Sequence, residues 1–509
     1  MKAMTTQNVT FNGEAETETF AETLSLMARS GQVILLKGDL GSGKSTFARA
    51  FIKALALPDD IFDVPSPSFS LVQLYENTRI PVAHIDLYRL NSPNEIRALA
   101  LSELLPMFLL LVEWPERLDE AFSAPTIELE FSGSGKKREL QLRADDIWAG
   151  LLQRNQQIET FLENSAWFDA KRSFLEGDAS SRRYEYLTRG GQKKILMDMP
   201  QRPDGPPVKA GRSYSAIAHL AENITSVVAI NSKLYEMGYS APSTEKFDLD
   251  IGLAIIENLG EQVFGRMMNA GQDITEPMQA AIELLADMAT RNWSHKLAVD
   301  AKHFHAIEPY DLDAQLIEAD LMVSWFFPFA RSRAADSALC ASFERAWRNL
   351  LPLAQPEKPH WALRDFHSPN LIWMPERQGF KRVGIIDTQD TVLGHPAYDL
   401  VSMLQDARVD IDFGWADELY LYYEQLRAAQ GEFNRQKFSA AYAVLGAQRA
   451  TKILGIFARL AKRDGKPGYI KHMPRVSRYL ARNLEHKALS SLKEWYETNL
   501  PEALKVGRP

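Results

Sequence analysis

One cysteine, Cys340, stands in a chain of 509 residues. That scarcity excludes an intrachain disulfide and any cysteine-rich metal site. The lone thiol reads as a small buried hydrophobe. Long apolar runs are missing too. The most apolar stretch, Leu104 to Val112, contains Pro106 and falls far short of the roughly 20 residues that span a bilayer, so no membrane association is expected. Positive charge is in deficit, 58 Lys and Arg against 66 Asp and Glu for a net charge of −8, which excludes a general basic field for gripping nucleic acid directly. Met1 to Thr10 lack the basic-then-apolar pattern of a signal peptide, so a cytoplasmic location is expected. No low-complexity block and no internal repeat interrupts an ordinary composition, 45% hydrophobic and 24% charged. The length asks for more than one hydrophobic core.

What is present is two phosphate-handling signatures more than three hundred residues apart. Gly38-Asp39-Leu40-Gly41-Ser42-Gly43-Lys44-Ser45-Thr46 fits the pattern G-x-x-x-x-G-K-[ST]. Backbone N–H groups of such a turn point at phosphate oxygens from a helix N-terminus. Lys44 is expected to reach the β- and γ-phosphates, and the Ser45 hydroxyl to ligate Mg²⁺. The context agrees: an amphipathic helix over 14–30 ends at Gly31, an apolar strand covers 32–37, and a helix covers 46–57. Two further apolar strands, 81–85 and 108–112, end in carboxylates, Asp86 and Glu113. The carboxyl ends of strands are where open α/β sheets bind ligands. Asp86 is therefore the candidate on the metal side, and Glu113 the candidate catalytic residue that orients water. Ser132 to Arg138 reads as a hairpin turn before a return strand at 139–142.

Four segments in order, Gly38 to Phe47, Ser66-Pro67-Ser68-Phe69-Ser70-Leu71-Val72, His84-Ile85-Asp86-Leu87-Tyr88-Arg89-Leu90 and Glu113-Trp114-Pro115-Glu116, resemble the motifs of the TsaE family. This is the small ATPase of bacterial tRNA threonylcarbamoyladenosine synthesis. The resemblance covers about residues 10–145. It implies a P-loop fold that binds ATP and Mg²⁺ and acts through the TsaD and TsaB subunits of the transferase, so direct strong nucleic-acid binding is not needed. It puts Ser68 at a switch position where the family has threonine, a hydroxyl being kept. Trp114 packs either on the nucleotide or in the core.

The second signature is Arg364-Asp365-Phe366-His367-Ser368-Pro369-Asn370, followed by Gly384-Ile385-Ile386-Asp387-Thr388-Gln389-Asp390. Asp365 and Asn370 are spaced as a kinase base and metal ligand on one loop, and Asp387, at an apolar strand's end, as the second metal ligand. His367 reads as a brace for the loop, Asp390 as a residue behind or at the metal, and Asp399 as a structural anchor. The short path from Asp387 to Asp399 leaves little room for a protein-kinase activation segment, which favours a small-molecule acceptor.

Together with Gly177 to Tyr184, Ile195-Leu196-Met197-Asp198, Ile255 to Gly260 and Gly394 to Leu400, these segments resemble the aminoglycoside phosphotransferase and choline kinase superfamily over about 165–490. The nearest branch is the AmgK-like anomeric kinases of N-acetylmuramate and N-acetylglucosamine. The resemblance implies ATP contacts from Ser180, Ser181, Arg182 and Arg183 in the phosphate-covering loop, and from Glu257 and Leu259 at the adenine hinge. Two departures stand out. Leu363 replaces the histidine of an H-x-D triplet, and Met197 replaces the N-lobe lysine, whose charge Arg182 or Arg183 could supply. Asp311, Asp313 and Trp325 are placed either at the acceptor pocket or in a plain helical core.

The expected fold is an α/β P-loop NTPase domain with a parallel-rich sheet over 1–150, a linker at 151–165, then an α+β two-lobed kinase-like domain, N-lobe 166–260 and helical C-lobe 261–509. The expected protein is a tRNA-modification ATPase fused to a sugar kinase. The alternative is a nucleotide-gated binding module fused to a regulatory pseudokinase, or to a kinase of another small hydroxyl acceptor.

Overall fold

A computed structural model describes residues 4–57, 62–90, 92–118, 121–133, 135–175 and 182–505. The chain divides into two units, Met1–Glu176 with Glu185–Gln192, and Gly177–Tyr184 with Lys193–Pro509.

The first unit is organised by one sheet. Its elements run β1 (Thr5–Phe11), α1 (Glu14–Met27), β2 (Val33–Lys37), α2 (Lys44–Ala54), β3 (Val72–Tyr75), β4 (Val82–Asp86), α3 (Pro93–Ala98), α4 (Leu101–Leu104), β5 (Leu109–Glu113), β6 (Thr126–Ser132), β7 (Arg138–Ala144) and α5 (Asp146–Glu163). The strand order is β1-β7-β6-β2-β5-β4-β3. β2 pairs in parallel with both β5 and β6, and β4 pairs in parallel with β5. These central strands are apolar on both faces, as parallel strands covered on each side must be. Alternate residues of β2 feed opposite cores: Ile34 and Leu36 join Phe47, Phe51 and Trp148, while Val33 and Leu35 join Ile85, Leu110 and Val112. β7 alternates between exposed and buried positions and pairs antiparallel with β6 and with β1.

Residues 151–163, expected to begin a linker, lie inside α5. The Asp145 side chain accepts from the N–H groups of Ile147 and Trp148, each at 3.1 Å, and so starts the helix. Ile158, Phe161 and Leu162 are buried along it, which makes the polar-looking segment one amphipathic helix of the first unit.

In the second unit the strand Leu253–Glu257 pairs antiparallel with Gln192–Asp198 on one side and Thr244–Asp248 on the other. Beyond residue 275 the unit is largely helical. Two small hairpins interrupt it, His360–Ala362 with Val392–Gly394 and Leu371–Trp373 with Val383–Ile385. The helix Arg435–Arg463 forms the axis of this core and packs against Leu312–Leu321, Ala397–Leu404 and Met473–Leu484. Gly455 permits the closest of these approaches, because a Cβ there would lie 2.5 Å from the Leu321 carbonyl. Valine at 455 is therefore expected to destabilise the second unit by about 1–3 kcal/mol, read as a lower denaturation midpoint of its transition, with the first unit's transition unchanged.

Candidate functional sites

In the first unit β2 delivers the chain into the glycine-rich turn. Gly38, Gly41 and Gly43 all have φ between 78° and 124°, the region that glycine occupies without penalty. A Cβ on Gly38 would stand 2.2 Å from the Phe131 carbonyl oxygen, so the turn can lie against β6 only with glycine there. The exposed tip carries Asp39 and Leu40, while Ser42 is buried. α2 opens at Lys44, whose buried Nζ donates to the carbonyls of Gly38 at 2.6 Å and Asp39 at 2.9 Å. Burial lowers the Lys44 pKa, opposed by Glu113, Glu116, Asp86 and Asp39.

Parallel register places Asp86 beside Glu113 at the carboxyl ends of β4 and β5. The Ser45 hydroxyl donates to Glu113 at 3.2 Å. The Asp86 carboxylate accepts the Tyr88 N–H at 3.0 Å and the Ser66 hydroxyl at 3.5 Å. Ser66 and Ser68 share a hydrogen bond of 2.9 Å, which brings Ser68 into the same cavity of about 660 Å³ with Lys44, Ser45, Asp86, Glu113 and Trp114. Trp114 turns its ring to Lys44, 4.1 Å from Nζ to the centroid, and also packs against the apolar cluster beneath. Thr46 contacts Glu14 at 3.4 Å.

One residue of this site went unassigned in the sequence. His84, buried on β4, places Nε2 2.9 Å from a Glu113 carboxylate oxygen. Its Nδ1 is buried without a hydrogen-bond partner. A proton is better placed on Nε2, where it meets a carboxylate, than on an unpartnered buried nitrogen. The signal was available: His84 lies two residues before Asp86, hence on the same strand face.

In the second unit Asp365 follows Arg364, which has φ 68°. The loop is fixed from below. The buried Asp399 carboxylate accepts the N–H groups of Leu363 at 2.7 Å and Arg364 at 2.9 Å, and the Ser402 hydroxyl donates to the Arg364 carbonyl at 3.0 Å. Burial raises the Asp399 pKa to about 7 against those two donors. The Arg364 guanidinium is buried on the Glu318 carboxylate and donates to the Ala218 carbonyl at 2.7 Å. Lys452 also donates to Glu318, at 2.7 Å. Burial would raise the Glu318 pKa, but Arg364 and Lys452 override it and hold it at about 2.

Asp365 itself is burdened by burial, yet His367, Arg449, Lys452 and Arg364 bring its pKa below the ordinary value, so it is an ionised acceptor at neutral pH. Asn370 donates from its side-chain amide to the Asp365 carbonyl at 3.0 Å, and its own carbonyl accepts the Ile386 N–H at 3.0 Å. The pairing Leu371↔Ile385 thus brings Asn370 alongside the start of Ile386-Asp387. Asp387 has φ 62° and accepts a hydrogen bond from the guanidinium of Arg182.

Other expected residues are placed as follows. Ser180 and Ser181 lie outside the described residues. Arg183 opens the strand Arg183–Arg189 and is half-buried. The Glu257 carboxylate is engaged by Arg377 at 3.0 Å and by the Ser243 hydroxyl at 3.0 Å, while Leu259 packs with Ile372 and Met374. His367 lies 3.9 Å from Asp406. Asp390 accepts the Ala221 N–H at 2.6 Å, and burial raises its pKa. Asp311 caps the helix Leu312–Leu321 through the Ala314 N–H at 2.8 Å, Asp313 lies 3.7 Å from Arg212, and Trp325 packs on the core. Cys340 is half-buried against the same core, and burial raises its pKa.

The side chains expected at the metal, Ser45 and Asp86 in one unit and Asn370 and Asp387 in the other, all offer oxygen. No group of three or more His, Cys, Asp or Glu side chains that could hold a metal occurs among the described residues. One or two carboxylates, with water and phosphate oxygens completing the shell, is the set that suits Mg²⁺.

The family pattern for threonylcarbamoyl adenosine biosynthesis protein TsaE matches residues 11–140, and that of the phosphotransferase enzyme family matches residues 171–438. The chain is similar to an N-acetylmuramate/N-acetylglucosamine kinase of Caulobacter vibrioides, 37% identical over 67% of this chain and 95% of the relative. A kinase of the same description from Pseudomonas putida is 27% identical over 68% of this chain and 92% of the relative. A tRNA threonylcarbamoyladenosine biosynthesis protein TsaE of Rickettsia conorii is 34% identical over 32% of this chain and 90% of the relative.

Two outcomes follow from these geometries. His84→Leu strips a buried partner from Glu113 and is expected to cost about 1–3 kcal/mol, seen as a lower midpoint of the first unit's unfolding. The depressed Glu318 pKa contributes stability that is complete above its ordinary value of 4.5 and is lost as pH falls toward about 2. Acid melts of the second unit should therefore steepen over that window, and Glu318→Gln should flatten the dependence.

Proposed function

The chain belongs to the TsaE family in its first unit and to the phosphotransferase enzyme family in its second, and from that premise we propose a bifunctional, cytoplasmic, ATP-dependent enzyme. The first unit is the ATPase that supports tRNA N6-threonylcarbamoyladenosine formation, acting on TsaD- and TsaB-like transferase subunits. The second is a small-molecule kinase whose acceptor is the anomeric hydroxyl of N-acetylmuramate or N-acetylglucosamine. The observation that supports this reading is strand register, which brings Asp86 beside Glu113 in the first unit and Asn370 beside the entry to Asp387 in the second. No helix among the described residues is long and apolar enough to cross a membrane.

In the first site the turn Gly38 to Thr46 cradles the phosphates, Lys44 exchanges its loop carbonyls for phosphate oxygens, and Glu113 orients the attacking water. Ser45 and Asp86 hold Mg²⁺. In the second site Asp365, ionised and fixed through the main-chain anchors of Asp399, accepts the proton of the acceptor hydroxyl as its oxygen attacks the γ-phosphorus and ADP leaves. Asn370 and Asp387 hold Mg²⁺, which neutralises phosphate charge when bound. In this reading Arg182 and Arg183 serve the phosphates, and the segment Glu257 to Leu259 serves the adenine. An ionised Asp365 with Asn370 and Asp387 at hand favours an active kinase over a pseudokinase.

The two activities separate by single substitutions. Asp365→Ala is expected to lower amino-sugar phosphorylation by at least about 10³-fold while partner-stimulated ATP hydrolysis persists. Lys44→Ala is expected to do the reverse. Absence of stimulation by the transferase subunits would sink the first assignment, and indifference to both amino sugars the second.

A further inference from the structure

Ordinary kinases join a lysine on an N-lobe strand to a glutamate on the following helix, and that lysine meets the nucleotide's phosphates. In this chain both halves of the pair are replaced together. Met197, on the strand Gln192–Asp198, is 2% exposed and packs with Val227, Val228, Ala254 and Ile256. The buried face of the helix Thr225–Glu236 presents Val227, Val228 and Asn231, with no carboxylate. Asn231 is committed to Thr388, whose hydroxyl donates to its side-chain oxygen at 2.7 Å. A cation on the Met197 strand position is thus excluded by an apolar cluster, and the phosphates' charge must be met from elsewhere.

Arg182 is positioned to meet it. Its side chain is 13% exposed and its guanidinium donates to Asp387. Asp390 also acts on it electrostatically, so this one cation serves two carboxylates, Asp387 and Asp390. Arginine suits two successive partners better than lysine does, because its planar fork fits carboxylate and phosphate alike and never loses its charge.

We propose that Arg182 is the phosphate-binding cation of the second site and is exchanged between two partners. It rests on the Asp387 carboxylate in the nucleotide-free protein and transfers to the phosphate oxygens of ATP, which releases Asp387 to ligate metal. The inference builds on the reading of the second unit as an ATP-dependent phosphotransferase, and adds that Arg182 substitutes for the missing lysine–glutamate pair while gating the metal carboxylate.

The exchange predicts effects of opposite sign, which a purely structural arginine would not produce. In the full-length chain without nucleotide, Arg182→Ala is expected to tighten Mn²⁺ binding, followed by electron paramagnetic resonance, by at least about threefold, because Asp387 loses its competing cation. Asp387→Asn should abolish that gain. The same Arg182→Ala chain is expected to show a KM for ATP raised at least about tenfold in amino-sugar phosphorylation, with Arg182→Lys recovering only part of the loss. Mn²⁺ affinity unchanged or weakened by Arg182→Ala, or a KM for ATP within about threefold of wild type, overturns the proposal. If the wild type phosphorylates no amino sugar, the acceptor reading fails by itself. The Mn²⁺ titration and calorimetric ATP affinity, measured in a Lys44→Ala background to silence the first site, then decide the role of Arg182.

Discussion

Strand register is the constraint on which both sites depend. A phosphate-handling site needs oxygen ligands from distant parts of the chain held a few ångströms apart, and main-chain pairing is what fixes that spacing here. In the first unit the parallel ladder of β4 and β5 sets Asp86 opposite Glu113. In the second, the hairpin with Leu371 opposite Ile385 sets Asn370 against the entry to Asp387. A slip of one residue in either ladder would turn the ligating side chain to the other face. The burial of the surrounding strands is what forbids the slip. β4 and β5 are buried along their whole length, so sliding would drive charged groups into the two apolar layers.

Register sets positions along a strand but does not aim a loop, and the loop that carries Asp365 is aimed by buried charge. Arg364 and Asp387 both hold positive φ without being glycine, a conformation that persists only where the surroundings over-determine it. Around Arg364 these are the Asp399 carboxylate on two consecutive N–H groups and the Arg364–Glu318–Lys452 assembly, and at Asp387 the Arg182 guanidinium. A buried ion pair is weak evidence for stability, because desolvation offsets much of its attraction. Its consequence lies in direction. With the guanidinium of Arg364 drawn inward to Glu318 and Ala218, the next residue, Asp365, is presented half-buried at the site, where cations keep it ionised.

Much of this was legible in the sequence, for a physical reason. The P-loop, the strands ending in Asp86 and Glu113, and the D-x-x-x-x-N with its downstream aspartate are local patterns whose spacing is dictated by one turn or one hairpin. Asp399 could be read as an anchor because it follows Asp387 at short spacing, although the two N–H groups it holds are 35 and 36 residues away. What escaped was non-local. β1 has a polar sequence, and only its pairing with β7, from Thr5↔Ala144 to Phe11↔Arg138, makes it a strand. The stretch from Asp145 to about Phe161 reads as polar and helix-prone, but its place in the first unit was hidden because its buried positions are spread among glutamines and acids. His84 lay inside a quoted motif, but its partner is 29 residues away. Glu257, expected near adenine, has its carboxylate engaged by Arg377, a contact across 120 residues that no spacing rule anticipates.

The two sites answer one electrostatic problem in different ways. A cation destined for phosphates must be buried enough to act strongly and must not be left without a partner. In the first unit the partner is the turn itself. Lys44 rests on the carbonyls of Gly38 and Asp39, and its pKa is lowered by burial although four carboxylates oppose the shift. A neutral carbonyl competes only modestly with a phosphate for that ammonium, so the lysine changes partners at little cost. In the second unit the partner is a full charge. Arg182 faces a carboxylate, and the stronger bond makes cation release and metal binding parts of one exchange rather than two independent events. In our proposal the apolar Met197 and Val227–Val228 shift the cation from the sheet position to Arg182, just ahead of the strand Arg183–Arg189. The cost of that move is borne by the metal carboxylate.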